Sequence, residues 1–271
     1  MLHHLEEPIG LALGSGAARG WAHVGVIRAL REAGIEPRIL CGSSSGAVVG
    51  AIHAAGKLDS FEEWGRQLNR RQVMGYFDFS LRGGLIRARK LLEFVTAQIG
   101  NVPMQSLGLR FAAVATDLAT GQEVWLREEP LVDALQASMA LPGLITPVHL
   151  GGRWLVDGGL VNPTPVSLCR ALGAASVIAV DLNAALLTRR FASASGEGGP
   201  AAPGIYDVIT QTLEIMQVRI TRSRMAGDPP ELLITPRLAN FALLDFARAP
   251  EAIEEGRSAV ARALAADREA T

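Results

Sequence analysis

Cysteine is scarce, neither charge is in excess and no long apolar run occurs, and each shortage removes a class of protein. The two cysteines, Cys41 and Cys169, stand far apart in the sequence without CxxC or Cys/His metal spacing. Such a pair suits a reducing compartment better than a disulfide framework, and both are expected as buried small hydrophobes. Lys and Arg number 26 against 27 Asp and Glu, a formal net charge of −1. That balance gives no global electrostatic reason to expect nucleic acid as a partner. A spanning helix needs roughly 18 consecutive apolar residues, and charges, prolines or glycines interrupt every candidate stretch sooner. Membrane contact is therefore expected to be peripheral at most. The opening, Met1 to Pro8, lacks a basic segment followed by an apolar run. No secretory signal is expected, and the mature chain is expected to begin here. The resulting expectation is a cytoplasmic protein, with any membrane contact at the inner face.

What is present points to one large α/β domain. The 271 residues are 49% hydrophobic, enough for a sizeable core. Ile9 to Leu13 is a short apolar run ending in the glycine-rich loop Gly14-Ser-Gly-Ala-Ala-Arg-Gly20, and helical spacing follows from Trp21 to Ala33 with Gly34 as its stop. The unit repeats: a strand at Ile39 to Cys41, the turn Gly42-Ser-Ser-Ser-Gly46, and a helix from Ala47 to Gly56. Leu58 to Asn101, with Gly83-Gly84, reads as helices and irregular segments that could form a cap. A hairpin is expected from Phe111 to Thr116 and Glu123 to Leu126 around Ala119-Thr-Gly121. A helix from Leu131 to Met139 follows, then two strands joined at Gly151-Gly152 and leading into Asp157.

Beyond these lie a helix around Pro165 to Leu172, a strand at Ser176 to Val180, and a low-complexity stretch at Ser193 to Gly204 expected to be mobile. A helix from Ile205 to about Arg224, a strand at Leu232 to Ile234 and a helix from Pro250 complete the chain. The organisation predicted is a single domain over 1–271, its core about 9–183, with a C-terminal helical extension after the loop near 193–204. Repeated strand-turn-helix units imply a largely parallel sheet with helices on both faces, and ligands sit beyond the carboxyl ends of such strands.

Gly42-Ser-Ser44-Ser-Gly46 matches GxSxG with a strand before it and a helix after it, the context of a nucleophile elbow. Ser44 is the central serine. Glycines at both ends allow a sharp turn and keep side chains away from it. The plain alternative is a serine-rich N-cap.

A serine nucleophile needs a base, and here histidine is short. The five are His3, His4, His23, His53 and His149, and none follows His149. With Asp157 as acid, the Ser-acid-His order of α/β-hydrolases finds no histidine. The subtilisin and chymotrypsin orders need an aspartate before the serine, and the first aspartate is Asp59. A carboxylate acting directly remains, and Asp157-Gly158-Gly159 is the best-placed candidate. Its alternative meaning is an Asx turn ending a hairpin. As base, Asp157 would gain from a desolvated site that raises its pKa.

The Gly14 to Gly20 loop offers backbone N–H groups at a helix N-terminus, suited to a phosphate or to an oxyanion. It fails as a dinucleotide fingerprint, because Arg19 stands where GxGxxG needs glycine. Arg19 either binds a lipid phosphate or neutralises nearby carbonyls. His23, just after the loop, is expected to hydrogen-bond loop carbonyls.

In order and separation, the Gly14 to Gly20 loop, Gly42-Ser-Ser44-Ser-Gly46 and Asp157-Gly-Gly159 resemble the patatin-like phospholipase family. Leu11-Ala-Leu-Gly-Ser-Gly-Ala-Ala-Arg-Gly-Trp-Ala-His-Val-Gly25 and Arg224-Met-Ala-Gly-Asp-Pro-Pro230 look like its bacterial branch related to neuropathy target esterase. The resemblance implies a three-layer α/β/α sandwich, a Ser–Asp dyad without histidine and no cofactor or metal. It also implies an oxyanion hole from the amides of Gly16 and Ala17, although Ser15 and Ala17 replace two glycines of the usual loop. The motif glycines are then Gly14, Gly20, Gly42, Gly46, Gly158 and Gly159. The expected function is a serine lipid acyl hydrolase, a phospholipase, lysophospholipase or carboxylesterase, acting on a lipid or ester through an acyl-enzyme. The rivals are an acyltransferase with His149 or His53 as base, and a non-catalytic regulatory protein that keeps the fold.

One further pattern bears on membrane contact. Ile205, Ile209, Leu213, Met216 and Ile220 recur along one side of a helix, with Arg219, Arg222 and Arg224 near its end. The stripe is expected to pack on the sheet, with the arginines complementing the helix C-terminus; the alternative is a weak peripheral contact with an anionic surface.

Overall fold

The computed structural model describes residues 5–69, 89–186 and 204–270. The cap expected within 58–101 therefore lies partly, and the loop near 193–204 all but wholly, outside the described residues.

β1 (Ile9–Leu13) leads through a single 3₁₀ turn, Ala17–Gly20, into α1 (Trp21–Glu32). Gly34, at φ +76, ends that helix region as its position in the sequence implied. β2 (Ile39–Ser43) runs into α2 (Ser45–Ala54), which begins two residues earlier than the periodicity suggested. α3 (Leu58–Gln67) and α4 (Arg89–Gln98) follow. β3 (Arg110–Asp117) and β4 (Glu123–Leu126) form the expected hairpin, and α5 is Leu131–Ser138. β5 (Val148–Leu150) and β6 (Arg153–Asp157) meet at Gly151 and Gly152, both at positive φ, as a two-residue turn of this kind requires. α6 (Val166–Ala171), β7 (Ser176–Val180), α7 (Ile205–Gly227), β8 (Leu232–Ile234) and α8 (Ala249–Ala270) complete the order.

The strands form one sheet in the order β5-β6-β3-β2-β1-β7-β8, with β4 also paired to β3. The run from β3 to β8 is parallel, while β4, β5 and β6 join antiparallel at the β3 side. The sheet is thus mixed, with its antiparallel strands gathered at one edge.

Every residue of β1, β2 and β7 is buried because both faces are covered. Alternate residues divide between two cores. Leu11, Leu13 and Leu40 join a large core with α1, α2, α5 and α8. Ala12, Ile39 and Cys41 face a smaller one with α6. Helices therefore sandwich the sheet. α8 lies tightly along α1: a Cβ on Gly25 would collide with the Ile253 carbonyl, and one on Gly256 with Ala22. Both cysteines are free and buried as expected. Distant in sequence, they meet in the small core, where burial and the neighbouring Cys169 push the Cys41 thiol up.

Candidate active site

The site lies where β1 and β2, being parallel, both end. Ser44 takes φ 54 and ψ −122, a region rarely occupied by L-residues that costs about 1–3 kcal/mol. The surroundings hold it there. Its N–H donates to Ser138 Oγ at 3.0 Å, and its carbonyl accepts from Ala47 and Val48 N–H at 3.0 and 3.3 Å. The flanking glycines are needed for close approach, since a Cβ on Gly42 would collide with the Ala47 backbone and one on Gly46 with the Leu13 carbonyl. The resulting elbow lifts the Ser44 hydroxyl, half-buried, off the end of β2.

Asp157 arrives from the opposite direction. The strand before it, expected to deliver it to the carboxyl edge of the sheet, does so while running antiparallel to β3, which leaves Asp157 opposite Ala115. β3 separates β6 from β2, so the two side chains meet across the end of β3. Ser44 Oγ donates to Asp157 Oδ2 at 2.6 Å. The other oxygen, Oδ1, accepts the Gly159 N–H at 2.7 Å. The Asx turn and the contact with serine, alternatives on sequence, coexist because each uses a different oxygen. The Asp157 backbone is pinned too: its N–H donates to Ala140 O at 3.0 Å and its carbonyl accepts from Thr116 Oγ1 at 2.8 Å. Asp157 is fully buried, and desolvation pushes its carboxyl up to about 6, against the opposing pull of the hydrogen bonds from Ser44 and Gly159.

The glycine loop stands beside this pair. Gly14 and Ser15 N–H donate to Val180 and Pro163 carbonyls, and Ala18 N–H to Leu243 O. Among the described residues, the N–H groups of Gly16 and Ala17 have no acceptor. Ala17 sits at φ 49, an unusual conformation for alanine. His23 Nε2 donates to Gly14 O at 2.7 Å, as expected, and burial lowers its pKa to about 4, so the ring is neutral. Arg19 is 1% exposed, and its Nη2 donates to Glu214 at 2.9 Å. Of the roles considered for it, compensation of charge within the fold is the one this geometry supplies, with a carboxylate in place of carbonyls.

The family model described as patatin-like phospholipase matches residues 11–170, more than half of the chain. The chain belongs to the patatin-like phospholipase family. It is thereby placed among lipid hydrolases. Among its relatives, an NTE family protein of Mycobacterium tuberculosis is 35% identical over 95% of this chain and 91% of that protein. Lysophospholipase NTE1 of Coccidioides immitis is 29% identical over 92% of this chain but only 17% of its own length. These agree with the branch related to neuropathy target esterase. Among solved structures, VipD from Legionella pneumophila aligns at 13% identity with a TM-score of 0.49, over 97% of this chain and 67% of that one.

Other polar residues at this patatin-like site escaped the sequence reading. Ser138 Oγ, besides accepting from Ser44, donates to Val114 O at 2.7 Å. Asn183 Nδ2 reaches Ser15 O and Gln217 Oε1, both at 3.1 Å, and Ser15 Oγ donates to Gln217 Oε1 at 3.3 Å. Ser138, Asn183 and Gln217 lie in no motif, and only burial of their polar side chains marks them. The remaining described histidines are elsewhere. His53 is nine residues along α2 from Ser44, roughly 13 Å at the helical rise, and His149 lies tilted against the Trp154 ring, centroids 5.1 Å apart.

α7 also corrects an expectation. Of its stripe, Ile205, Ile209 and Met216 are exposed and only Leu213 and Ile220 are half-buried, while the fully buried positions are Gln217, Val218 and Thr221. Arg224 is held by Glu123 and the Val161 carbonyl.

Proposed function

We propose that this chain is a serine lipid acyl hydrolase, a phospholipase, lysophospholipase or carboxylesterase, working through a Ser44–Asp157 dyad. The observation that carries the reading is the 2.6 Å hydrogen bond from Ser44 Oγ to Asp157 Oδ2. Ser44 Oγ attacks the carbonyl carbon of a lipid ester while Asp157 Oδ2 takes the hydroxyl proton. The oxyanion is received by the N–H groups of Gly16 and Ala17. As the tetrahedral intermediate collapses, the C–O bond to the leaving alcohol breaks and Asp157 returns the proton to that oxygen. Water, deprotonated by Asp157, then attacks the acyl-enzyme, and the fatty acid leaves as Ser44 recovers its hydrogen.

The raised carboxyl pKa supports this role, because a base near 6 takes a proton more readily than an ordinary aspartate and is still ionised at neutral pH. The scheme requires neither metal nor cofactor. The name of the fungal relative, a lysophospholipase, favours a lipid with one acyl chain among the substrates. The reading includes peripheral contact with the cytoplasmic face of a membrane.

The test is covalent labelling by a fluorophosphonate, with hydrolysis of short-chain nitrophenyl esters and a phospholipid panel. Labelling that requires Ser44, with ester turnover, is expected; absence of both would leave a non-catalytic protein with the same fold. Activity unchanged when His53 and His149 are each replaced by Gln would exclude a histidine-based acyltransferase.

A further inference from the structure

α7 is turned inside out for a helix of a water-soluble protein. Its inward face carries three polar side chains beside Val218: Gln217 and Thr221 are buried, and Glu214 pairs with Arg19 behind the glycine loop. Its outward face is apolar. Ile205 is 81% exposed, Val208 48%, Ile209 45% and Met216 46%, and these four fall within one side of the helix over three turns. A helix packed only against its own domain places such residues inward.

Position and charge say what covers this face. Ile209 Cγ2 is 3.9 Å from the place a Cβ on Gly143 would take, in the loop that follows α5. That loop begins beside Ser138, which holds Ser44, and Ala140, which holds Asp157. The apolar face thus borders the dyad. One turn beyond Met216, on the same side, Arg219 is exposed; Arg222, also exposed, is nearby, where its charge is felt by the buried Asp181 carboxyl. From Val208 to Arg224 the helix carries one carboxylate, Glu214, already paired. A second exposed apolar pair, Leu118 and Trp154 at 54% and 55%, lies at the same carboxyl edge of the sheet, where Leu118 N–H donates to the Trp154 carbonyl. Tryptophan at such a rim suits a lipid–water boundary.

We propose that the exposed face of α7, formed by Ile205, Val208, Ile209 and Met216 and continued by Arg219, docks on an anionic lipid surface and presents Ser44 to it. The occupant is a bilayer interface: apolar side chains enter the acyl boundary while the arginines meet lipid phosphates. The proposal rests on the acyl hydrolase reading for its purpose, but its binding step can be measured without catalysis.

The full chain carrying Ser44→Ala is co-sedimented with vesicles of phosphatidylcholine, with and without phosphatidylglycerol. Binding is expected to the anionic vesicles, weaker by about thirtyfold when Arg219 and Arg222 are both changed to Gln, since each basic residue contributes about 1 kcal/mol near such a surface. Ile205→Asp with Ile209→Asp, at positions exposed enough to spare the fold, should lower binding by about tenfold or more. In the chain that keeps Ser44, the same apolar double variant should hydrolyse a soluble nitrophenyl ester normally and vesicle phospholipid poorly. If anionic vesicles fail to bind the Ser44→Ala chain, or bind the aspartate variant equally well, the proposal is overturned. It is equally overturned if the double variant converts a dimer into a monomer, because the face would then belong to a second copy. Loss of ester hydrolysis in the unaltered chain would overturn the catalytic reading alone and leave the vesicle result standing.

Discussion

Ser138 Oγ accepts the Ser44 N–H at 3.0 Å while donating its own hydrogen to Val114 O at 2.7 Å. One buried hydroxyl thereby joins the strained elbow after β2 to the neighbouring strand. Ser138→Ala would leave the Ser44 amide without an acceptor, at a cost of about 1–3 kcal/mol. The expected outcome is a fall of about tenfold in kcat for a soluble ester with KM little changed, and recovery in Ser138→Thr. If thermal stability drops while kcat holds, Ser138 supports the fold and not the nucleophile.

Ser44→Ala should lower ester turnover by on the order of a thousandfold or more. The fold should persist, because the substituted residue keeps its Cβ and the backbone bonds that hold φ. Asp157→Asn should lower kcat by about 10²–10⁴-fold, the range of a lost general base. Turnover near normal in the second variant would mean that another group takes the proton.

Activity should rise with pH through an apparent pKa near 6, because burial raises the Asp157 carboxyl to about that value and only its ionised form accepts the serine proton. The linkage to stability has the opposite sign. Between 3.8 and about 6 the folded chain holds a proton that the unfolded chain has lost, so this group lowers stability as pH rises through that window. Asp157→Asn should remove the pH-rate limb and flatten this part of the stability profile. A rate limb near the ordinary aspartate value would contradict the desolvated site.

His23 acts in the other direction. Buried and neutral, with its pKa lowered to about 4, it binds fewer protons folded than unfolded between that value and 6.5. Stability should therefore fall as pH drops through this window. His23→Gln, whose amide can still reach the Gly14 carbonyl, should reduce that fall. Chemical denaturation of both proteins across this range checks it; loss of fluorophosphonate labelling in a folded His23→Gln protein would instead bring histidine back into the mechanism.

At Gly158 the room is the issue. An added Cβ would collide with the Val114 carbonyl and lie 2.8 Å from Ser43 Oγ. Gly158→Ala is expected to cost about 1–3 kcal/mol, lowering Tm by a few degrees, and to displace Asp157 from Ser44. A variant with unchanged Tm and unchanged turnover would show that the approach of these strands is looser than described.

Much of this was local and therefore legible in the sequence. Strand, turn and helix for β1 and β2 follow from short apolar runs, glycine punctuation and helical spacing, all read within about 15 residues. Ser44 was singled out by its immediate neighbours, and Asp157 largely by the order of residue types, which left no histidine for a triad. Long-range pairing decided the rest. The direction of β6 depends on which strand it joins, and its antiparallel seat beside β3 is what carries Asp157 to Ser44. Ser138, Asn183 and Gln217 lie outside every motif, since a polar side chain becomes informative only when packing removes it from water. The same is true of α7. Its periodicity shows two faces, but which one meets the protein is a choice made by Arg19, Ser15 and Asn183, whose polar groups hold Glu214 and Gln217 inward and leave the isoleucines outside.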